Sequence, residues 1–417
     1  MFDYKKDRKV DVCIWIIFIL ITNFFGFYKY LPLGEKIYSV DYMLISCFLF
    51  SCILLLKKII TNHGKLVKGY FFSYGMVLLA LVVLEAIVTF GQYRQPLVLT
   101  IKEAFYYFVP IVTYLAFCQI KRHVTVEKVC RILTKVSVIA SSISILAFIS
   151  YTYLGVNFLK LSTVGDESFR NGTIRFGVGG LIVYISVIVS MTRVLRKTYH
   201  NIDIYNIVLG LLQIIFVNKS RITILYFIVV FIVVAIREKK TNKFFKCFIV
   251  LIILIMGVWA LNFLENISSE ISTYIDEDAS LFVRLEAIEF YMEQFKQKPI
   301  LGMGLLSADQ TANNWRLVSG YNTSHFYYRE DVGAIGLLNK FGIVGVLWVI
   351  CFLKKIWKRV SAEESEHSMI CQNIIIFLIV TMISLSFMDY QRVMYIFILL
   401  FISEITVYDV CRRENQW

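Results

Sequence analysis

Charge is scarce in this chain. Only 18% of its 417 residues are Asp, Glu, Lys or Arg, whereas 58% are hydrophobic. The mean hydropathy is +0.69. A soluble domain of this length needs far more polar surface, so that class is excluded. The nine cysteines (Cys13, Cys47, Cys52, Cys118, Cys130, Cys247, Cys351, Cys371 and Cys411) avoid every segment expected outside the cell. A disulfide framework and a Cys-based zinc site are therefore not indicated. Internal repeats and low-complexity stretches are lacking too. So is the repeated midplane acidic set of a proton-coupled pump: of Glu85, Lys102, Glu103, Lys340 and Glu404, all but Lys340 and Glu404 fall near the outer ends of their spans, and Glu404 is closer to the cytosolic half.

What is there in abundance is apolar sequence in runs long enough to cross a bilayer as helices. These predict an all-α, polytopic integral membrane protein, a single membrane-embedded domain over 1–417 with about twelve spans. They are expected near 11–28, 39–56, 70–90, 97–119, 136–155, 176–195, 203–218, 222–237, 246–263, 332–353, 369–387 and 393–410. The runs are continuous rather than dyad-alternating, which argues against a β-barrel. The first follows Lys5-Lys6-Asp7-Arg8-Lys9 with no small-residue cleavage site after it, and is read as a retained span.

Basic residues set the expected orientation. They cluster at Lys57-Lys58, Lys121-Arg122, Arg196-Lys197, Arg237 to Lys246 and Lys354 to Arg359, which places both termini in the cytosol. The net charge of +13 then belongs to the rim facing anionic lipid, not to a nucleic-acid footprint.

One long hydrophilic stretch, 264–331, is left outside. Within it, 281–296 has apolar residues at Leu281, Leu285, Ile288, Met292 and Phe295, the spacing of an amphipathic helix. Arg284 sits on its first turn, as a surface charge or as a site residue. Gly302-Met303-Gly304 after Pro299 suits an ordinary turn, or one that presents amides to an anion. His325 is the one outside histidine; His63, His123, His200 and His367 fall in cytosolic segments. An imidazole there can take a proton from a hydroxyl or bind phosphate, and Arg329, Glu330 and Asp331 crowd beside it. A carboxylate of that group could orient the imidazole or act as base itself.

Asn218-Lys219-Ser220-Arg221 lies between two spans at the outer boundary. Its guanidinium suits interfacial anchoring, or bidentate capture of a lipid-linked phosphate. Lys102, Arg94, Arg170 and Arg175 are further outward cations that could line the same cavity. Asp276-Glu277-Asp278 has the Asp-x-Asp spacing of metal-dependent glycosyl transfer, but acidic runs before helices are commonly solvated, and no metal is assigned.

In order, Asn218-Lys219-Ser220-Arg221, Arg284, Lys298-Pro299-Ile300-Leu301-Gly302-Met303-Gly304, His325 and Asp331-Val332-Gly333-Ala334-Ile335-Gly336 leading to Gly342 and Gly345 resemble a known series. It is that of the bacterial O-antigen polymerase and O-antigen ligase superfamily, which includes capsular and exopolysaccharide repeat-unit polymerases. The resemblance covers roughly 210–355. It implies metal-independent, inverting transfer of an oligosaccharide from an undecaprenyl diphosphate carrier, with no cofactor, at the outer face of the bacterial inner membrane. Flippase and chain-length regulator proteins are the implied partners, with membrane lipid. Residue by residue, it implies catalytic roles for Arg221, Arg284 and His325, with Glu330 or Asp331 as the alternative base. Lys219, Arg329, Gly302, Gly304 and Lys102 are the expected substrate contacts. The His-Asn pair common in ligase-like members is replaced here by His325-Phe326, which favours a polymerase. A flippase for the same lipid-linked oligosaccharide is the competing class, although transporters hold their binding groups at the midplane. A structural subunit is the third.

Overall fold

A computed structural model describes residues 4–61, 65–160, 169–170, 173–174, 178–218, 220–237, 279–312, 314–320, 326–362 and 365–414. It is helical apart from a two-residue antiparallel pair, β1 (Phe169–Arg170) with β2 (Thr173–Ile174). The helices are α1 (Tyr4–Ile21), α2 (Ser39–Thr61), α3 (Phe72–Tyr93), α4 (Leu97–Cys118), α5 (Val126–Leu154) and α6 (Gly180–Arg196). They continue as α7 (Asn201–Leu212), α8 (Arg221–Arg237), α9 (Ala279–Gln297), α10 (Gly333–Val360), α11 (Glu366–Thr381) and α12 (Met394–Glu414).

Among the described residues, six helices are long and apolar enough to cross a membrane, or seven if α1 and the bent turn after it count as one. The protein is thus a polytopic membrane protein, but this count falls short of the expected twelve. The span expected at 246–263 lies outside the described residues. The other expected positions all hold helices, yet α7, α8 and α11 are shorter apolar elements. Helix α6 has 17 residues with Arg193 and Arg196 in its last turn. At 1.5 Å per residue, a helix of that length falls a little short of a hydrocarbon core of roughly 30 Å. A π-turn, Gln213–Val217, extends α7 to Asn218.

Buried charges fasten the bundle at the end opposite the 298–332 segment. Glu404 of α12, a costly intramembrane acid by sequence, meets Lys121 at 2.5 Å and accepts from the Tyr114 hydroxyl at 2.7 Å and the Tyr70 amide at 2.8 Å. Arg193 is 1% exposed and joins Glu127 of α5 at 3.0 Å, Glu366 of α11 at 3.3 Å and Asp203 of α7 at 3.7 Å. One arginine therefore ties four helices together. Removing a partner from such a buried pair costs about 3–5 kcal/mol, because a desolvated charge is left behind.

At the other end, called the loop face below, α9 packs on α10. Its buried face is Ala287, Tyr291 and Gln294, with Val283 and Phe290 beside it, packed against Tyr327 and Val332. The apolar stripe expected on this helix does not supply that face: Leu285 is 58% exposed and Ile288 36% exposed. The protein-facing stripe is the one whose polar members find partners. The Tyr291 hydroxyl donates to the Val318 carbonyl, and Gln294 bonds Asn339 of α10 at 2.8 Å.

Candidate functional site at the loop face

The loop face is organised by a break in α10. Gly342 has φ 61° and ψ −161°, a conformation open to glycine alone in practice. The break removes two helical bonds, from Ile343 to Asn339 and from Val344 to Lys340. Bare backbone groups at this depth would each cost about 1–3 kcal/mol. The segment Pro299–Gly304 fills the gap and exchanges all four. Ile343 and Val344 donate to the carbonyls of Pro299 and Ile300, at 2.9 and 3.2 Å. Met303 and Gly304 donate to those of Asn339 and Lys340, at 2.7 and 3.0 Å. A Cβ on Gly302 would stand 2.5 Å from the Asn339 carbonyl oxygen, and one on Gly342 2.2 Å from that of Ile300.

This corrects the expected role of Gly302 and Gly304. Their amides are engaged within the fold, Gly302 with the Lys298 carbonyl at 2.9 Å and Gly304 as above. In this arrangement they build the joint with α10. The same segment is stapled to the end of α3. Lys298 reaches Gln92 at 2.5 Å and the Tyr93 hydroxyl at 2.7 Å, and Gln95 bonds both the Leu305 carbonyl and the Ser307 amide.

Arg284 stands on the second turn of α9, half-buried. Among the described residues it has neither an ion-pair nor a hydrogen-bond partner. It is within electrostatic reach of the Tyr226 hydroxyl, as is Arg392. Tyr226 lies on α8, whose first residue is Arg221, and its hydroxyl bonds Ser384 in the 382–393 turn between α11 and α12. Two guanidinium groups thus converge on the helix that Arg221 begins. The backbone of Arg221 is described, whereas its side chain, Lys219 and His325 lie outside the described residues.

Beside this lies a cluster of mixed charge. Lys340 of α10 pairs with Glu103 of α4 at 3.4 Å, and its ammonium lies 5.1 Å from the Tyr107 ring. Arg329, Glu330 and Asp389 are all within electrostatic reach of Lys340. Arg392 pairs with Asp389 at 3.0 Å and donates to the Glu330 carbonyl at 3.5 Å. Burial pushes the Asp389 carboxyl up to about 8, outweighing the opposing pull of Arg392. That value suits a group asked to gain or lose a proton near neutrality.

The structure separates the remaining expected site residues. Arg329 is 3% exposed and donates to the Leu306 carbonyl at 3.1 Å; its Nη1 is buried without a hydrogen-bond partner among the described residues. It anchors the loop from within. Lys102 pairs with Asp41 at 3.0 Å and lies 5.9 Å from the Tyr38 ring on the α2 side, and is within electrostatic reach of Asp309 in the loop. Glu330 and Asp331 form a 3-10 turn with Arg329, both half-buried. The acidic run 276–278 lies outside the described residues.

Three residues here escaped sequence reasoning: Tyr226, Asp389 and Arg392. Asp389-Tyr390-Gln391-Arg392 had a readable signal, an opposite-charge pair in the short gap between the last two spans. Tyr226 had none, being one tyrosine among many in apolar runs.

Residues 207–350 match the family model described as O-antigen ligase, which supports membership of the O-antigen polymerase and ligase superfamily. No curated protein matches the chain significantly. The matched range holds α8, α9, the Pro299–Gly304 insert and the break in α10.

Proposed function

We propose that this protein is a polymerase that joins oligosaccharide repeat units carried on undecaprenyl diphosphate into a surface polysaccharide, at the outer face of the bacterial cytoplasmic membrane. The observation that carries the reading is Arg284: a half-buried guanidinium with no ion-pair partner among the described residues, turned toward the helix that Arg221 opens. A cation held this way is placed for an anion not yet present, and Arg matches a diphosphate by bidentate geometry.

An acceptor hydroxyl attacks the anomeric carbon of the donor. The bond from that carbon to the phosphate oxygen breaks, and the diphosphate leaves on its lipid. Arg284 and Arg221 stabilise the charge that develops on it. The hydroxyl proton passes to a base, for which Glu330 is the carboxylate adjoining the Asp389 and Arg392 cluster. His325 and Asp331 are the alternatives, and comparing Glu330→Gln, His325→Ala and Asp331→Asn decides among them.

Arg221→Ala and Arg284→Ala are expected to abolish polymer at unchanged protein level. Near-normal polymer in both sinks the assignment. Deleting the gene and resolving the surface glycan on a gel separates the classes. A single repeat unit left on its acceptor means polymerase, unattached long polymer means ligase, and carrier-linked units trapped inside mean flippase.

A further inference from the structure

The end of the bundle opposite the loop face holds a cavity of about 540 Å³ that the transfer chemistry does not use. It is lined by Arg131 and Lys135 of α5, and by Tyr199, His200, Asn201 and Ile202 where the chain turns into α7. Arg131 and Lys135 are one helical turn apart, so their side chains leave α5 on one face.

No carboxylate lines the cavity. The nearest, Glu127, is shared three ways: Arg193 at 3.0 Å, Arg131 at 3.1 Å and His200 at 3.4 Å. Asp203 at the start of α7 is occupied by Arg193, the Ser190 hydroxyl and the His200 amide. Lys135 has no ion-pair partner among the described residues. The first turn of α7 adds backbone amides and the positive end of a helix dipole to the same wall. The side chains that line the space itself, Arg131 and Lys135 foremost, suit an anion.

The two helices that bear the lining residues, α5 and α7, also carry exposed apolar residues further along. One turn beyond Lys135, Ile139 is 39% exposed; on α7, Tyr205 is 64% and Val208 51% exposed. These positions follow the basic residues at helical spacing along two packed helices, which suits a ligand with an anionic head and an apolar tail. A free phosphate would use the basic residues and leave the apolar ones idle.

We infer that this is a binding site for an anionic phospholipid. Its phosphate is held by Arg131 and Lys135, its headgroup lies at the α7 N-terminus, and its acyl chains run along Ile139, Tyr205 and Val208. The lipid wedges α5 against α7 on the face that the basic-residue bias assigns to the cytosol.

The test uses the full-length protein in neutral detergent, read by native mass spectrometry and by its thermal midpoint. Phosphatidylglycerol is expected to raise the midpoint and to leave one retained lipid per chain, whereas phosphatidylcholine and inorganic phosphate do neither. Arg131→Ala with Lys135→Ala removes the gain, each lost cation weakening binding about fivefold. Lys135→Ala alone, which breaks no ion pair among the described residues, halves the gain or more and keeps the test readable if the double variant does not purify. Lys354→Ala, an exposed cation elsewhere on that rim, leaves the gain intact. Full gain in the Arg131 and Lys135 variants overturns the inference. So does equal gain from phosphatidylcholine, or the whole gain from inorganic phosphate.

Discussion

The contrast between Arg284 and Arg193 is instructive, since both are arginines withdrawn from water. Arg193 is 1% exposed and surrounded by three carboxylates. It is finished as a structural group. Arg284 has no such partner among the described residues, which is why it carries the functional reading. If it binds a diphosphate through two parallel hydrogen bonds, charge alone does not replace it. Arg284→Lys is then expected to lose about 100- to 1000-fold in turnover, measured as polymer formed per unit of protein, while Arg316→Lys on the exposed loop changes little. Asp389 gives a second residue-scale expectation. Its folded pKa, about 8, stands above the ordinary 3.8, so the folded state holds the proton more tightly than the unfolded chain. The stability this contributes is complete below about pH 4 and is lost as pH rises through about 8. The thermal midpoint in detergent should therefore fall between pH 5 and pH 8.5, and Asp389→Asn should flatten that fall. An unchanged slope in the variant excludes Asp389 as its source.

Among the elements, sequence legibility followed the source of each signal. Helix positions were readable because long apolar runs reflect the bilayer, which acts on every residue alike. The range 281–296 was readable as a helix, but not its buried side. Leu285 and Ile288 look like a core stripe in isolation, and only the partners offered by Tyr327, Val318 and Asn339 turn Ala287, Tyr291 and Gln294 inward. The glycines of Pro299–Gly304 were visible as a turn, yet no local rule says that a turn will be built into another helix. Gly342→Ala tests that join. It meets about 1–3 kcal/mol of backbone strain and about 1–3 kcal/mol for each exchanged bond it displaces. Folded yield and thermal midpoint should fall sharply, whereas Ile343→Ala, on an exposed neighbour, should cost little.

For the whole molecule, the arrangement separates two kinds of polar burial. One end is closed by pairs that satisfy each other, Lys121 with Glu404 and Arg193 with its carboxylates. The loop face keeps a guanidinium, that of Arg284, with no ion-pair partner among the described residues, and a buried carboxyl, that of Asp389, whose pKa burial raises to about 8. Sidedness can be measured directly. Asp309→Cys should react with a membrane-impermeant maleimide in intact cells, and Lys197→Cys only after permeabilisation; the reverse pattern overturns the orientation read from basic residues. The four bonds exchanged at Gly342 also bear on how such a chain is made and how it diversifies. Helix α10 cannot rest in its broken form until Pro299–Gly304 reaches it, so the loop acts as a keystone set during assembly. A chimera that takes this loop from one relative and α10 from another inherits half a joint, and the two segments have to be transplanted together.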